Sequence, residues 1–363
     1  MRRRTAAIGL CLALLGASGA SAQPSQGEGV WVPTLHVSPQ GKVELELFRD
    51  GTAFAHNTGD ASFWYSPNGG RVWTPRPPLP ANGATPQMDF SSPERGYAMS
   101  NGQLFESTDL GLTWKPVSAP SFDVTWEEGL SVLSDLEAVK GSRKLVILGH
   151  KVPKVDECPT LGEETAVFYG TPGNWKSTKI PFPSVTWEVE FLNERVGLLS
   201  LVETKLSRTT SCGFQATGYR YSVQKTTDGG RTFEEIYSVL QEEDGVLSVA
   251  IPTPRKIFLG MDSGRVLRST DGGRTFEEAI DLVAETGRPG LWVDQITFAN
   301  PLVGYVGSNA MGTWRTFDGG RTWVHELSHQ NAPGLNIGDL VAVGPNDALL
   351  GGPWAIARRE MTP

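Results

Sequence analysis

The chain has 363 residues, among them 42 Gly and 25 Pro, and a formal net charge of −8. The high Gly and Pro content predicts many turns and few long helices. The acidic balance excludes nucleic acid as the expected partner, because phosphate binding requires clustered Lys and Arg.

The first 22 residues predict a signal peptide. A basic start at residues 2–4 precedes an apolar run at residues 6–17, and residues 20–22 form an A-x-A cleavage site. The run is too short to span a membrane. We therefore expect cleavage after Ala22 and export to the periplasm or the extracellular space. The loss of three Arg and no acid would bring the net charge from −8 to −11.

Two cysteines, Cys158 and Cys212, remain after that cleavage. An even pair in an exported chain predicts a disulfide, and two unpaired thiols are the alternative. No later stretch is long and apolar enough to cross a membrane.

A short pattern recurs through the chain, spelled Ser/Thr-x-Asp-x-Gly-x-Thr-aromatic in its best copies. We call the five copies repeat turns, and they occupy residues 66–73, 107–114, 226–233, 269–276 and 316–323. Their acidic or amide positions are Asn68, Asp109, Asp228, Asp271 and Asp318. Such side chains accept backbone N–H bonds within a tight turn, while Gly supplies a positive φ. We expect structural rather than catalytic carboxylates, because an active site needs such a group only once.

The spacing of the repeat turns predicts the fold. Neighbouring copies are 41 to 47 residues apart where none is missing, which is typical of four-stranded propeller blades. The wide gap after residue 114 holds a degenerate copy at residues 170–175, which keeps turn residues and a Trp. A second phrase, Phe followed six residues later by Gly, recurs at residues 90–97, 191–197 and 298–305.

These units predict an all-β, seven-bladed β-propeller, with six or eight blades as alternatives. Six units fit between about Val43 and Leu327. Residues 337–359 would supply three strands of a seventh blade, and residues 30–37 would add the fourth and close the ring. Residues 23–363 would then form a single domain, and we expect a monomer.

The repeat turns resemble the Asp-box, or bacterial neuraminidase (BNR), repeat. The combined pattern looks closest to exported sialidase-like propellers, and among these to relatives of photosystem II assembly factors. That resemblance implies a seven-bladed propeller used as a binding scaffold. The ligand-binding arginine patch of that group cannot be mapped onto this sequence, so a photosynthetic role does not carry over.

Sites in Asp-box propellers of known enzyme families lie on the face opposite the repeat turns. The resemblance therefore implies that binding residues lie on that face, around the central channel. The phrase Val-Thr-Trp-Glu occurs in two expected inter-blade loops, and a looser relative spans residues 291–294. An aromatic ring beside a carboxylate can stack a sugar or hold a cation, although packing between blades is the alternative. The candidate ligand-binding residues are Asp123, Trp126, Glu127, Trp187, Glu188, Trp292 and Asp294.

Two long loops are also expected on this face, at residues 151–164 and 203–218. Each holds one of the two cysteines, so a disulfide would join them into a raised wall between neighbouring blades. Long ordered loops often carry function, and decoration without a binding role is the alternative.

Two enzyme classes, a zinc enzyme and a sialidase, are the alternatives that single motifs suggest. Residues 325–329 spell H-E-x-x-H, but they follow Trp323 directly, where the repeat predicts a strand. Four residues along a strand span roughly 13 Å, too far to hold one zinc ion, so no metal or cofactor is expected. A sialidase is disfavoured because residues 48–51 lack the proline of that family's arginine motif and because acids on the site face would repel an anionic sugar.

The sequence therefore favours an exported, non-enzymatic propeller that binds a protein or a glycan. A glycoside hydrolase acting on a neutral glycan is the alternative, since it needs only two carboxylates about 5–10 Å apart.

Overall fold

The computed structural model describes residues 29–39, 41–81, 86–121, 129–153, 164–180, 184–208, 214–240, 244–327, 337–352 and 354–361. These residues form seven antiparallel four-stranded sheets arranged as a seven-bladed β-propeller, as the spacing of the repeat turns predicted. Predictions for residues 1–22 lie outside the described part of the chain.

Strand β1 (Gly29–His36) comes first in the chain and belongs to blade 7. Blade 1 comprises β2 (Val43–Leu47), β3 (Ala53–Asn57), β4 (Phe63–Ser66) and β5 (Thr74–Arg76). Blade 2 comprises β6 (Gln87–Ser92), β7 (Arg95–Ser100), β8 (Gln103–Ser107) and β9 (Lys115–Val117). Blade 3 comprises β10 (Gly129–Ala138), β11 (Leu145–Pro153), β12 (Glu164–Thr171) and β13 (Asn174–Ile180).

Blade 4 comprises β14 (Ser184–Phe191), β15 (Gly197–Arg208), β16 (Phe214–Thr226) and β17 (Glu234–Leu240). Blade 5 comprises β18 (Val246–Thr253), β19 (Lys256–Met261), β20 (Arg265–Ser269) and β21 (Glu277–Asp281), followed by helix α1 (Leu282–Thr286). Blade 6 comprises β22 (Val293–Phe298), β23 (Gly304–Ser308), β24 (Gly312–Thr316) and β25 (Val324–Leu327). Blade 7 comprises β26 (Asp339–Ala342), β27 (Ala348–Gly351), β28 (Ala355–Met361) and β1.

The two ends of the described chain meet in blade 7. Strand β1 pairs antiparallel with β28, from Gly29 opposite Met361 to His36 opposite Ala355. The outer strand of the last blade therefore comes from the start of the chain, and its backbone hydrogen bonds close the ring.

The apolar core lies between neighbouring blades. Phe54 of blade 1 stacks on Phe90 of blade 2 with ring centroids 3.8 Å apart. A Cβ added at Gly96 would lie 2.4 Å from the Phe90 ring. The same close approach joins Gly304 to Phe298, with 2.5 Å to that ring. The recurring Phe-and-Gly phrase is thus explained by a ring at the end of one strand lying against the start of the next.

Each repeat turn is fixed by its own side chains. In blade 2, Ser107 donates to Asp109 over 2.9 Å, and the Asp109 carboxylate accepts from the backbone N–H and hydroxyl of Thr113 at 2.9 and 2.6 Å. Gly111 has φ +74°, and a Cβ there would lie 2.3 Å from Phe63 of the preceding blade. The turn pattern therefore encodes both the hydrogen bonds that fix the turn and a close contact with the preceding blade.

The degenerate copy in blade 3 is a plain hairpin. Thr171 pairs with Asn174 across two turn residues, and Gly173 has φ +80°. This turn joins the third and fourth strands of its blade, as do the five repeat turns.

The described chain has a single helix, α1, whose five residues are too few to cross a bilayer.

Candidate functional site

A channel of about 900 Å³ runs along the axis of the ring. The first strand of every blade contributes to its wall, because these strands lie innermost. Among the described residues, nine carboxylates and three cations line it: Glu44, Glu46, Asp89, Asp135, Glu137, Glu188, Glu190, Asp294 and Asp339, with Lys42, Arg49 and Lys140. The channel wall is therefore strongly acidic.

We distinguish two ends of this channel. The turn face carries the repeat turns and the connections between first and second strands; the N–H of Gly69 in a repeat turn bonds the carbonyl of Gly51 in such a connection at 2.6 Å. The mouth face carries the starts of the innermost strands, including Lys42 and Trp292.

Carboxylates in the channel accept hydrogen bonds from backbone N–H groups of the innermost strands. Each is an edge strand, so backbone N–H groups along one side lack a partner within the sheet. Asp89 of blade 2 accepts from the N–H of Ala138 in blade 3 at 2.5 Å. Glu188 of blade 4 accepts from the N–H of Val249 in blade 5 at 2.6 Å.

In the described part of the chain, the same kind of contact occurs at six of the seven junctions between neighbouring blades. Side-chain oxygens serve six successive junctions, from blade 7 into blade 1 and on to blade 6, and their donors are Leu45, Phe90, Ala138, Phe191, Val249 and Ile296. The acceptors are Asp339, Glu46, Asp89, Glu137, Glu188 and Ser248. These channel side chains therefore join neighbouring blades.

Burial changes the proton affinity of the channel acids. It raises the pKa of Glu188 to about 8, with a further contribution from the charge of Glu190. Burial likewise raises the pKa of Glu190 to about 7 and that of Asp135 to about 7. At neutral pH the deep channel therefore holds part of its carboxyl groups in the protonated form.

Trp292 and Asp294 form a ledge at the mouth. The Trp292 indole N–H donates to Asp294 Oδ1 at 2.8 Å, and its backbone N–H donates to Asn309 at 3.1 Å. Trp292 nevertheless keeps 42 % of its surface exposed. Burial raises the pKa of Asp294 to about 6, opposed by the indole bond and by Lys42. The ledge offers an oriented carboxylate beside an open aromatic face.

The sequence-predicted site residues fall into three groups. Trp292, Asp294 and Glu188 all line the channel. Trp187 lies in strand β14, so its phrase is part of an innermost strand and not an inter-blade loop, although its side chain lies outside the described part. Three candidates lie outside the described residues altogether: Asp123, Trp126 and Glu127.

Sequence reasoning missed most of the channel acids. Glu44, Glu46, Asp89, Asp135, Glu137, Glu190 and Asp339 were not among its candidates. A signal was available, because carboxylates two residues apart in a first strand must point to the same side. Glu44 with Glu46, and Asp135 with Glu137, show that spacing.

The two expected loops are partly strand. Strands β15 and β16 stay paired as far as Arg208 opposite Phe214, so much of residues 203–218 belongs to an extended hairpin of blade 4. The pairing continues past Glu203 with a register shift between Lys205 and Leu206. The predicted disulfide partners, Cys158 and Cys212, lie outside the described residues.

The H-E-x-x-H segment begins as strand β25, as expected. His325 stacks on Trp314, with ring centroids 4.4 Å apart. Glu326 instead forms ion pairs with Arg315 at 2.6 Å and Arg359 at 2.9 Å. Both side chains thus have structural partners.

Comparisons with known proteins agree on the fold. No family model matches the chain, and no curated protein matches its sequence. A structure of YCF48 bound to a D1 peptide shares 12 % identity over 93 % of this chain and 97 % of that one, with a TM-score of 0.63. A streptogramin B lyase shares 13 % identity over 92 % and 98 %, also with a TM-score of 0.63.

A third structure, YCF48 from Cyanidioschyzon merolae, shares 14 % identity over 80 % of this chain and 98 % of that one, with a TM-score of 0.51. At such identities these likenesses establish the propeller fold alone. They include both a peptide-binding protein and an enzyme.

Proposed function

We propose that the chain is an exported, non-enzymatic binding propeller that recognises a protein or glycan partner at the mouth of its channel. The observation that carries this proposal is the ledge of Trp292 and Asp294. An open indole beside an oriented carboxylate suits stacking on a sugar or a peptide side chain, with the carboxylate accepting a hydrogen bond. The peptide-bound YCF48 structure supports a protein partner.

The bonding of the deeper carboxylates favours binding over hydrolysis. Asp89 and Glu188 already accept backbone N–H groups of the next blade. A carboxylate used in this way is less able to move a proton to and from a substrate. The ledge adds an exposed aromatic residue, Trp292, to the acidic wall.

Three further elements of this proposal rest on the sequence. Residues 1–22 would direct export and be removed. Cys158 and Cys212 would form a disulfide between the hairpins of blades 3 and 4, which intact mass after alkylation would test, since two alkylated thiols without reductant would refute it. The repeat turns would make the chain an Asp-box propeller.

The experiment is a binding screen on defined probes, namely an array of neutral glycans and a library of short peptides. Purified wild type would be compared with Trp292→Ala and Asp294→Asn. The matched control is Trp354→Ala, because Trp354 is 56 % exposed but does not line the channel.

We expect Trp292→Ala to lose at least about fivefold in affinity for any probe that wild type binds, since one stacked aromatic contributes on the order of 1–3 kcal/mol. Asp294→Asn should also lose affinity, because it removes the charge of the accepting carboxylate. Trp354→Ala should bind like wild type. Equal binding by all four proteins would refute the proposed site.

A glycoside hydrolase is the second candidate, and the raised pKa values of Glu188 and Glu190 favour it. A carboxyl that stays protonated near neutrality can act as a general acid. Turnover of an aryl glycoside by wild type and its loss in Glu188→Gln would establish this function in place of the first.

A further inference from the structure

The turn-face end of the channel holds one ammonium group surrounded by oxygen atoms. Lys140 Nζ lies 2.9 and 3.1 Å from the two carboxylate oxygens of Glu46. It lies 2.6 Å from Asp89 Oδ1 and 2.8 Å from the Phe90 carbonyl. These are the distances of charge-assisted hydrogen bonds.

The four oxygens and the ammonium come from three successive blades. Glu46 lies in β2 of blade 1, and Asp89 and Phe90 lie in β6 of blade 2. Lys140 follows β10, in the connection to the second strand of blade 3. One charged group therefore ties three blades together where their innermost strands end.

The pKa shifts agree with an ion pair between Lys140 and Asp89, to which the carboxyl group of Glu46 is added. Burial alone would lower the pKa of Lys140, but the charges of Asp89, Glu46 and Glu137 raise it. Burial would raise the pKa of Asp89, yet Lys140 brings it below its usual value. The pKa of Glu46 is raised by burial. Asp89 and Lys140 thus share the main charge pair.

The Lys140 side chain lines the channel. The Lys140 side chain keeps 48 % of its surface accessible, against 8 % for Asp89 and 13 % for Glu46. The oxygen atoms therefore belong to more deeply buried side chains than the lysine that brings the cation to them.

We propose that Glu46, Asp89 and the Phe90 carbonyl form a cation-binding seat that the chain fills with its own lysine. The ligand class of this seat is a primary ammonium. In the native chain Lys140 acts as a tethered counter-ion that holds blades 1, 2 and 3 together, and truncating it leaves a site for a free small amine. This inference does not depend on the function proposed for the channel mouth.

The test is chemical rescue of Lys140→Ala, followed by thermal unfolding. We expect the midpoint to fall by at least about 5 °C, because two buried carboxyl groups lose their cation. Methylammonium should restore at least about half of that loss. Tetramethylammonium at the same ionic strength should not, since it carries the charge but has no N–H donor.

Lys140→Met is the matched control, because its side chain occupies the volume of the lysine stem and leaves no space for the amine. It should be destabilised without rescue. The seat would be refuted by a Lys140→Ala midpoint within about 1 °C of wild type, or by equal effects of the two salts.

A second measurement uses wild type alone and so does not depend on whether a variant folds. The ammonium of Lys225 bonds two backbone carbonyls, of Pro254 and Gly272, without a carboxylate. Its pKa is lowered by burial, whereas that of Lys140 is raised. Mass spectrometry should therefore find Lys140 acylated at least about tenfold more slowly than Lys225. Equal rates would overturn the proposal.

Discussion

The channel wall and the turn face use side chains of opposite charge to satisfy backbone groups of a neighbouring blade. Along the channel, a carboxylate of one blade accepts a backbone N–H of the next, as Asp89 does for Ala138. On the turn face, a cation of one blade donates to a backbone carbonyl of the next. Lys225 bonds the Gly272 carbonyl at 2.8 Å, and Arg358 bonds the Gly69 carbonyl at 2.7 Å.

The difference follows from which backbone groups each region leaves unpaired. The innermost strands are sheet edges whose N–H groups point into the channel, so they need acceptors. The repeat turns leave backbone carbonyls without a partner in the sheet on the turn face, so these carbonyls need donors. The carboxylates that serve these junctions therefore have a structural role in the channel.

Removing a channel carboxylate should have the largest effect. In Asp89→Ala the N–H of Ala138 and the ammonium of Lys140 both lose a buried partner. We expect a loss of about 3–5 kcal/mol in the free energy of unfolding, measured by urea titration. A loss below about 1 kcal/mol would show that the channel acids do not join the blades.

The two regions should also respond to pH in opposite directions. The folded-state pKa of Glu188 is about 8 against an ordinary 4.5, so the folded protein binds more protons and its stability falls as pH rises from about 5 to 8. Hydrogen bonding by Thr232 lowers the pKa of Asp228 to about 2, so that contribution is lost as pH falls below about 4.

Glu188→Gln should separate the fall in stability between about pH 5 and 8 from the loss of stability below about pH 4. It removes one titrating channel group, so the decline in unfolding midpoint between pH 5 and 8 should become shallower, while the acid limb stays as in wild type. An unchanged decline between pH 5 and 8 would mean that Glu188 titrates at its ordinary pKa.

Removing a turn carboxylate should cost less. Asp109→Ala loses the bonds from Thr113 and Ser107, but these groups lie near the surface, where water can replace the acceptor. We expect a loss of about 1–2 kcal/mol by the same urea titration. A loss equal to that of Asp89→Ala would remove the distinction between the two regions.

The fold was predictable because its signals are local. The repeat turns place Ser, Asp, Gly and Thr within seven residues, and Asp109 bonds only partners inside that window. Their number and spacing predicted six units, and residues 337–359 with residues 30–37 supplied the strands of the seventh blade. The Phe90 and Gly96 phrase is equally local, since the ring lies on the next strand of the same blade.

The candidate site was harder to predict because its contacts cross between blades. Asp89 and Ala138 are 49 residues apart, and Glu188 and Val249 are 61 residues apart. Nothing beside Asp89 in the sequence reveals the N–H that it serves. The Trp292 and Asp294 phrase was recognisable because both partners lie within three residues.

Amide-resolved hydrogen exchange can show whether the channel carboxylates join the blades. We expect the amides of Ala138 and Val249 to be protected in wild type because Asp89 and Glu188 accept their hydrogen bonds. Asp89→Ala should expose Ala138 and leave Val249 protected, and Glu188→Ala should do the reverse. Rapid exchange of both amides in wild type, or protection that neither substitution changes, would contradict the claim that the channel carboxylates join the blades.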